Sequence, residues 1–127
     1  MANERIVVLK ANGPDPEIEF LIGNAQWGSY KLDIFNSKTS TWEEAGAGVN
    51  WDKIEDRFKI GKTAKELDGV FLRWTLAITP VHVGDPYSVS VNIYQGNTIV
   101  EGGSILHRGE TLLETHPAAG LVKVVTV

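Results

Sequence analysis

The sequence contains no cysteine, which excludes disulfide bonds, thiolate metal ligands and cysteine nucleophiles. Its longest apolar runs are about four residues, whereas a membrane-spanning helix needs about 20. Only 12 of the 127 residues are Lys or Arg, and they are scattered along a chain of formal net charge −4. We therefore expect no membrane insertion and no nucleic-acid partner, because binding to phosphates needs clustered cations.

The N-terminal segment lacks the features of a signal peptide. Residues 1–9 have neither a positive n-region nor a sufficiently long apolar stretch. A cytoplasmic location is the default expectation, with a secreted mature form as the alternative. Hydrophobic residues make up 43% of the chain and charged residues 22%, as in ordinary globular domains. We expect one domain over residues 1–127, large enough to bury a core without a disulfide or a cofactor.

Two segments carry apolar residues at every second position. In 69–79, one predicted face carries Val70, Leu72, Trp74, Leu76 and Ile78. In 86–95, it carries Tyr87, Val89, Val91 and Ile93. This period of two predicts half-buried strands, and half-burial is typical of antiparallel sheets. Because only Pro80 and a Gly-Asp-Pro turn separate the two strands, we expect them to pair with each other.

Shorter segments extend the same pattern. Strands are predicted over 5–11, 17–22, 29–36, 98–106 and 121–127, with a tight turn at 95–98 and a bulge or close backbone approach at Gly102-Gly103. Residues 51–60 fit either a helix or a strand, and we favour the strand. Thr63 and Glu66 form a capping-box pattern that predicts one helical turn over 63–68. Residues 37–50 are predicted to be a long loop or a short strand, since the run 45–48 has little side chain to pack.

Together these features predict an all-β fold of about eight strands. The expected architecture is an antiparallel β-sandwich, jelly-roll or immunoglobulin-like, joined by turns rich in Gly, Pro, Asn and Asp.

Tryptophans beside turn-like sequence give the leading functional hypothesis. An indole face stacks on the C–H face of a pyranose, and amide side chains exchange hydrogen bonds with hydroxyl groups. We therefore predict a non-catalytic, lectin-like binding module without a cofactor. Its ligand-binding residues are Asn24, Gln26, Trp27, Trp42, Asn50 and Trp51. A tryptophan at a strand end can instead close the end of the core, so this alternative stays open.

Two other classes of function compete with the first. The terminal strands 5–11 and 121–127 are short and apolar, as are edge strands that pair with another chain, and outward Phe35, Phe71 and Tyr94 would add an apolar patch. This predicts a self-associating or protein-binding domain.

The third class is a small metal-dependent or acid/base enzyme. If Arg108-Gly109 is a two-residue turn, His107 faces Glu110, and His116 or Glu114 would complete a site. The spacing matches no metal motif, and the aspartates are too dispersed for a calcium loop. No Gly-x-Ser-x-Gly or phosphate-binding glycine motif is present. We therefore rank this class last.

Overall fold

The computed structural model describes residues 5–23, 27–51, 55–79, 86–110 and 116–127. Within these ranges the chain forms strands and no helix, which confirms the all-β class. No helix long and apolar enough to cross a membrane occurs in this part of the chain. The nine strands are β1 (Arg5–Leu9), β2 (Pro16–Gly23), β3 (Trp27–Asn36), β4 (Thr41–Trp51), β5 (Glu55–Lys59), β6 (Phe71–Thr79), β7 (Pro86–Gln95), β8 (Thr98–Glu110) and β9 (His116–Thr126).

The strands form one mixed sheet in the order β4-β3-β6-β9-β1-β8-β7-β2-β5. All neighbours are antiparallel except β1 and β9, which run parallel from the pair Arg5–Val122 to the pair Leu9–Thr126. The expectation of a purely antiparallel fold is wrong at this pair. A parallel pair needs a long connection, and the whole intervening chain supplies one. The terminal strands therefore lie at the centre of the sheet, and the edges are β4 and β5.

The sheet curls so that its two halves face each other across the core. The ring of Phe20 on β2 stacks on that of Tyr30 on β3, with centroids 4.3 Å apart, and Phe58 on β5 lies 6.0 Å from Tyr30. The predicted inward faces of β6 and β7 are confirmed at their described side chains. The buried residues there are Leu72, Trp74, Leu76, Val89, Val91 and Ile93.

Strands β6 and β7 do not pair with each other, contrary to the sequence-based expectation. Strand β6 pairs with β3 and β9, whereas β7 pairs with β2 and β8 in the facing half of the sheet. Their connection has six residues, and a connection longer than a tight turn lets consecutive strands enter different halves.

Strand β4 was the least expected element, because its centre is the small-residue run 45–48. The run is extended and pairs with β3, and a β-bulge falls where Leu32 and Asp33 meet it. A Cβ added at Gly46 would lie 2.4 Å from Cε2 of Phe58. The missing side chain makes room for an aromatic ring from the opposite edge strand. Gly46 on β4 therefore allows close packing against Phe58 on β5.

Two local predictions are confirmed in detail. Thr63 N–H donates to the Glu66 carboxylate and Glu66 N–H donates to the Thr63 hydroxyl, at 3.0 and 3.2 Å, which closes the predicted capping box. The segment forms a series of hydrogen-bonded turns and not a regular helix. Gly102 has φ +74°, and a Cβ there would lie 2.3 Å from the carbonyl oxygen of Ile6. Glycine thus allows β8 to approach β1 closely, beside an irregular register with β7.

Candidate ligand-binding surface

Three aromatic residues from adjacent strands occupy one row on the outer face of the sheet. Trp42 on β4 pairs with Phe35 on β3. The pair Ile34–Leu72 sets the next position in register, so Phe35 stands opposite Phe71 on β6. Residues opposite each other in antiparallel strands share a face, and that face is away from the core because Leu72 points inward. We call Trp42, Phe35 and Phe71 the aromatic row.

The rings of the row are half-buried and held by neighbours. Trp42 meets Phe35 edge-on, with centroids 5.2 Å apart and an interplanar angle of 62°. The guanidinium of Arg73 lies over the Trp42 ring, 4.2 Å from its centroid. Lys123 on β9 approaches Phe71, with its ammonium 5.8 Å from the ring centroid. Arrangements of this kind combine apolar contact with attraction between a cation and the electron-rich ring face.

A buried carboxylate fixes the cationic side of this surface. The Asp33 side chain is 4% exposed, and it accepts a hydrogen bond from Arg73 Nη2 at 3.1 Å. The ammonium of Lys31 lies 3.6 Å from the other carboxylate oxygen. Removing either cation would leave part of a buried charge unpaired, so both side chains are restrained. The surface therefore presents rings and positioned hydrogen-bond donors together.

A shallow depression of about 340 Å³ adjoins the row where β3 turns into β4. Phe35, Lys38, Glu43, Lys62 and Val70 contribute to its lining. Asn36 donates to the Glu43 carboxylate here and accepts from the backbone N–H of Lys38. These contacts order the turn between β3 and β4.

Four of the six residues predicted for the ligand site lie on described strands, and they do not all come together. Trp27 pairs with Trp51, and Gly28 pairs with Asn50, at the end of β3 and β4 that is far from the turn. Trp42 lies nine residues from Trp51 along β4, or about 30 Å at strand spacing. Asn24 and Gln26 lie outside the described residues, as do the side chains of the other three at that end. Trp42 is thus the predicted site residue whose surroundings are visible.

The predicted patch of Phe35, Phe71 and Tyr94 does not form as one surface. Phe35 and Phe71 lie in the aromatic row, but Tyr94 lies on the outer face of β7, in the facing half of the sheet. The Arg57 guanidinium lies over the Tyr94 ring at 3.9 Å, and the Tyr94 hydroxyl donates to Glu19 at 3.1 Å. Other exposed apolar residues stand beside the aromatic row instead, notably Ile6 and Leu121.

The histidine cluster differs from its sequence-based description. Strand β8 continues through Glu110, so Arg108-Gly109 is not a turn, and His116 enters β9 opposite Ile78. His107 Nε2 accepts a hydrogen bond from the buried indole N–H of Trp74 at 3.1 Å. Burial, and secondarily the charge of Arg5, lower the pKa of His107 below its usual value. The described residues contain no group of three potential metal ligands.

A crevice of about 470 Å³ lies between β1 and the hairpin of β7 and β8. It is mainly apolar and is lined in part by Val8, Lys10, Pro14, Gln95, Val100 and Val127. The Gln95 carboxamide accepts from the N–H of Lys10 at 2.8 Å and donates to its carbonyl at 3.0 Å. The crevice was not predicted, because its lining residues come from distant parts of the sequence. The carboxamide of Gln95 in this crevice is already hydrogen-bonded to the backbone.

Sequence reasoning also did not assemble Arg73, Asp33 and Lys31 with Trp42. The alternation of β6 predicted that Arg73 lies on the outer face, and this was the one indication of the cluster that the sequence offered. The meeting of these side chains depends on the registers of β4 with β3 and of β3 with β6, which local sequence does not encode.

Comparison with known proteins gives little further information. No protein-family model matches the chain, and no curated protein matches it. A solved structure of a domain of unknown function, DUF4425 from Bacteroides vulgatus ATCC 8482, is similar with a TM-score of 0.48 and 11% sequence identity. The match covers 84% of this chain and 91% of that chain.

Proposed function

We propose that this chain is a non-catalytic binding module that takes carbohydrate on the aromatic row. The observation that carries the proposal is the arrangement of Trp42, Phe35 and Phe71 on three adjacent strands of one outer face. Aromatic faces and edges pack against the C–H groups of sugars. The guanidinium of Arg73 lies over the Trp42 ring, and the Lys31 ammonium shares the Asp33 carboxylate with it. Both groups can donate hydrogen bonds to the hydroxyl oxygens of such a ligand.

The geometry of Arg73 supports ligand binding at this place. Its Nη2 donates to Asp33 and its Nε is buried without a partner among the described residues. The Arg73 side chain is 38% exposed, so part of it reaches solvent. The guanidinium is therefore held by Asp33 and Trp42, and the side chain is still partly open to a ligand. A donor restrained before binding loses little conformational entropy when a ligand arrives.

A glycan array followed by calorimetric titration tests this proposal. We expect Trp42→Ala to weaken binding of the array-selected glycan at least tenfold, and Trp42→Phe to retain most of the affinity. The matched control is Ile99→Ala, an exposed residue of β8 away from the aromatic row, which should leave the affinity unchanged. Absence of binding to any glycan, or equal affinity of Trp42→Ala and the parent chain, would refute the proposal.

Protein binding is the second candidate, favoured by the exposed apolar residues beside the aromatic row. Ile6 is 51% exposed, and Leu121 on the neighbouring strand β9 is 39% exposed. Association through terminal edge strands is not part of this candidate, because β1 and β9 are central. Sedimentation analysis of the parent chain and of Ile6→Ser tests self-association through the face. A concentration-dependent dimer lost in the variant would support it, and a monomer at all concentrations would refute it.

A further inference from the structure

Three cations share the outer face with the aromatic row. The pairs Asp33–Arg73 and Lys31–Thr75 fix the positions of β3 and β6, and the pair Phe71–Lys123 fixes β9. Lys31, Arg73 and Lys123 therefore lie on three adjacent strands, each displaced by two residues from the one before. We call these three residues the cation diagonal.

The spacing of the diagonal follows from sheet geometry. Neighbouring strands lie about 4.8 Å apart and two residues advance about 6.7 Å, so each step of the diagonal is roughly 8 Å between Cα atoms. The whole diagonal spans roughly 16 Å, which fits an extended polymer better than a monosaccharide. Its members reach solvent, since the side chains of Lys31 and Arg73 are 50% and 38% exposed.

The charge around the diagonal differs in sign from the rest of the chain. The three cations stand with Asp33 and with Glu44, the residue opposite Asp33 on β4, which gives a local formal charge of +1. The whole chain carries −4, so the other residues together carry −5. Asp33 is buried, whereas Lys31 is exposed and Arg73 and Lys123 are partly exposed. Solvent-facing charge here is therefore mainly positive on an acidic protein.

We propose that the ligand of this face is a carboxylated polysaccharide, a polymer of uronic acid residues. The inference rests on the proposed carbohydrate function and adds the charge of the substrate class. Sugar rings pack along the aromatic row, while carboxylates accept hydrogen bonds from Arg73 Nη1 and from the ammonium groups of Lys31 and Lys123. A single polymer of this kind would contact the aromatic row through its sugar rings and the cation diagonal through its carboxylates.

The test compares each acidic polymer with its own neutral form. Polygalacturonate, alginate and hyaluronan are titrated beside the same polymers with their carboxyl groups methyl-esterified, at low and high salt. We expect binding to at least one acidic polymer, at least tenfold weaker binding to its ester, and weaker binding at high salt. The double variant Lys31→Gln/Lys123→Gln should bind roughly tenfold more weakly, since exposed ion pairs are each worth up to about fivefold.

The control removes the same charge elsewhere. Lys59→Gln/Lys65→Gln alters two exposed lysines on β5 and in the 63–68 turn and should keep the affinity of the parent chain. Equal binding of acid and ester forms would refute the charge inference while leaving carbohydrate binding intact. Binding of neutral glycans alone would do the same, and binding of no glycan would refute both. Tighter binding of a single-stranded oligonucleotide than of every acidic polymer would also overturn the inference.

Discussion

The side chain of Gln95 connects the β7–β8 hairpin to Lys10, directly after β1, and replacing it with alanine should destabilise the fold. Gln95 is 9% exposed, and its carboxamide forms three hydrogen bonds with backbone groups. The oxygen accepts from Lys10 N–H at 2.8 Å, and the nitrogen donates to the carbonyls of Lys10 and Pro14 at 3.0 and 3.1 Å. One side chain thus pairs with Lys10 much as a neighbouring strand would.

The expected loss in Gln95→Ala follows from these contacts. Three hydrogen bonds with net contributions of about 0.5–1.5 kcal/mol each give a loss of about 3 kcal/mol in the free energy of unfolding. Water entering from the adjoining crevice reduces this loss, and incomplete solvation of the freed Lys10 groups increases it. For a chain of this size the loss lowers Tm by roughly 10 °C.

Urea unfolding followed by tryptophan fluorescence measures the effect. Lys10→Ala is the matched control, because it removes an exposed side chain and keeps the backbone groups that Gln95 binds; it should change stability by less than about 0.5 kcal/mol. Gln95→Glu keeps the acceptor but places carboxylate oxygens against two carbonyls. This raises the pKa of the new carboxyl, so the variant should regain stability as the pH falls. Equal stabilities of Gln95→Ala and Lys10→Ala would refute the reasoning.

Two further predictions concern the packing of Trp74. The pKa of His107 is lower in the folded chain than in the unfolded chain, so the unfolded chain binds more protons below about pH 6.5. The contribution of His107 to the free energy of unfolding should therefore fall as the pH decreases through that range. His107→Gln keeps an acceptor for the indole and should show a shallower dependence of the urea midpoint between pH 5.5 and 7.5; an unchanged dependence would contradict this. In Gly120→Ala the new Cβ would lie 2.2 Å from the indole of Trp74, so we expect a loss of about 1–3 kcal/mol or more, against less than about 0.5 kcal/mol for Ala119→Ser. Thermal unfolding of Gly120→Ala and Ala119→Ser measures this difference. Equal Tm values of the two variants would contradict the close contact between Gly120 and the indole of Trp74.

Local sequence was sufficient where neighbours along the chain determine the structure. The alternation of β6 and β7 predicted which side chains enter the core, and the Thr63–Glu66 capping box formed as expected. The bulge at Gly102-Gly103 likewise followed from glycine in a strand. In each case the cause lies within a few residues of its effect.

Pairing between distant strands was not predictable in this way. Residues 37–50 were predicted to be a long loop or a short strand, and the full strand β4 was missed. The Phe58 ring, for which Gly46 leaves room, is twelve residues away in another strand. The parallel pairing of β1 and β9 joins the two ends of the sequence. Trp42 was predicted as a ligand residue from its own neighbours in sequence, whereas its contacts with Arg73 and Phe35 depend on pairing between strands and were not predicted.

Chemical-shift mapping by NMR tests the central claim, a carbohydrate site on the aromatic row, most directly. The isotope-labelled chain is titrated with the tightest-binding glycan of the array or of the acidic polymer set. We predict that the largest shifts occur at the indole N–H of Trp42 and at backbone amides of β3, β4 and β6 around Phe35 and Phe71. Shifts confined to the crevice around Gln95, or to the end of β3 and β4 at Trp27 and Trp51, would contradict the account.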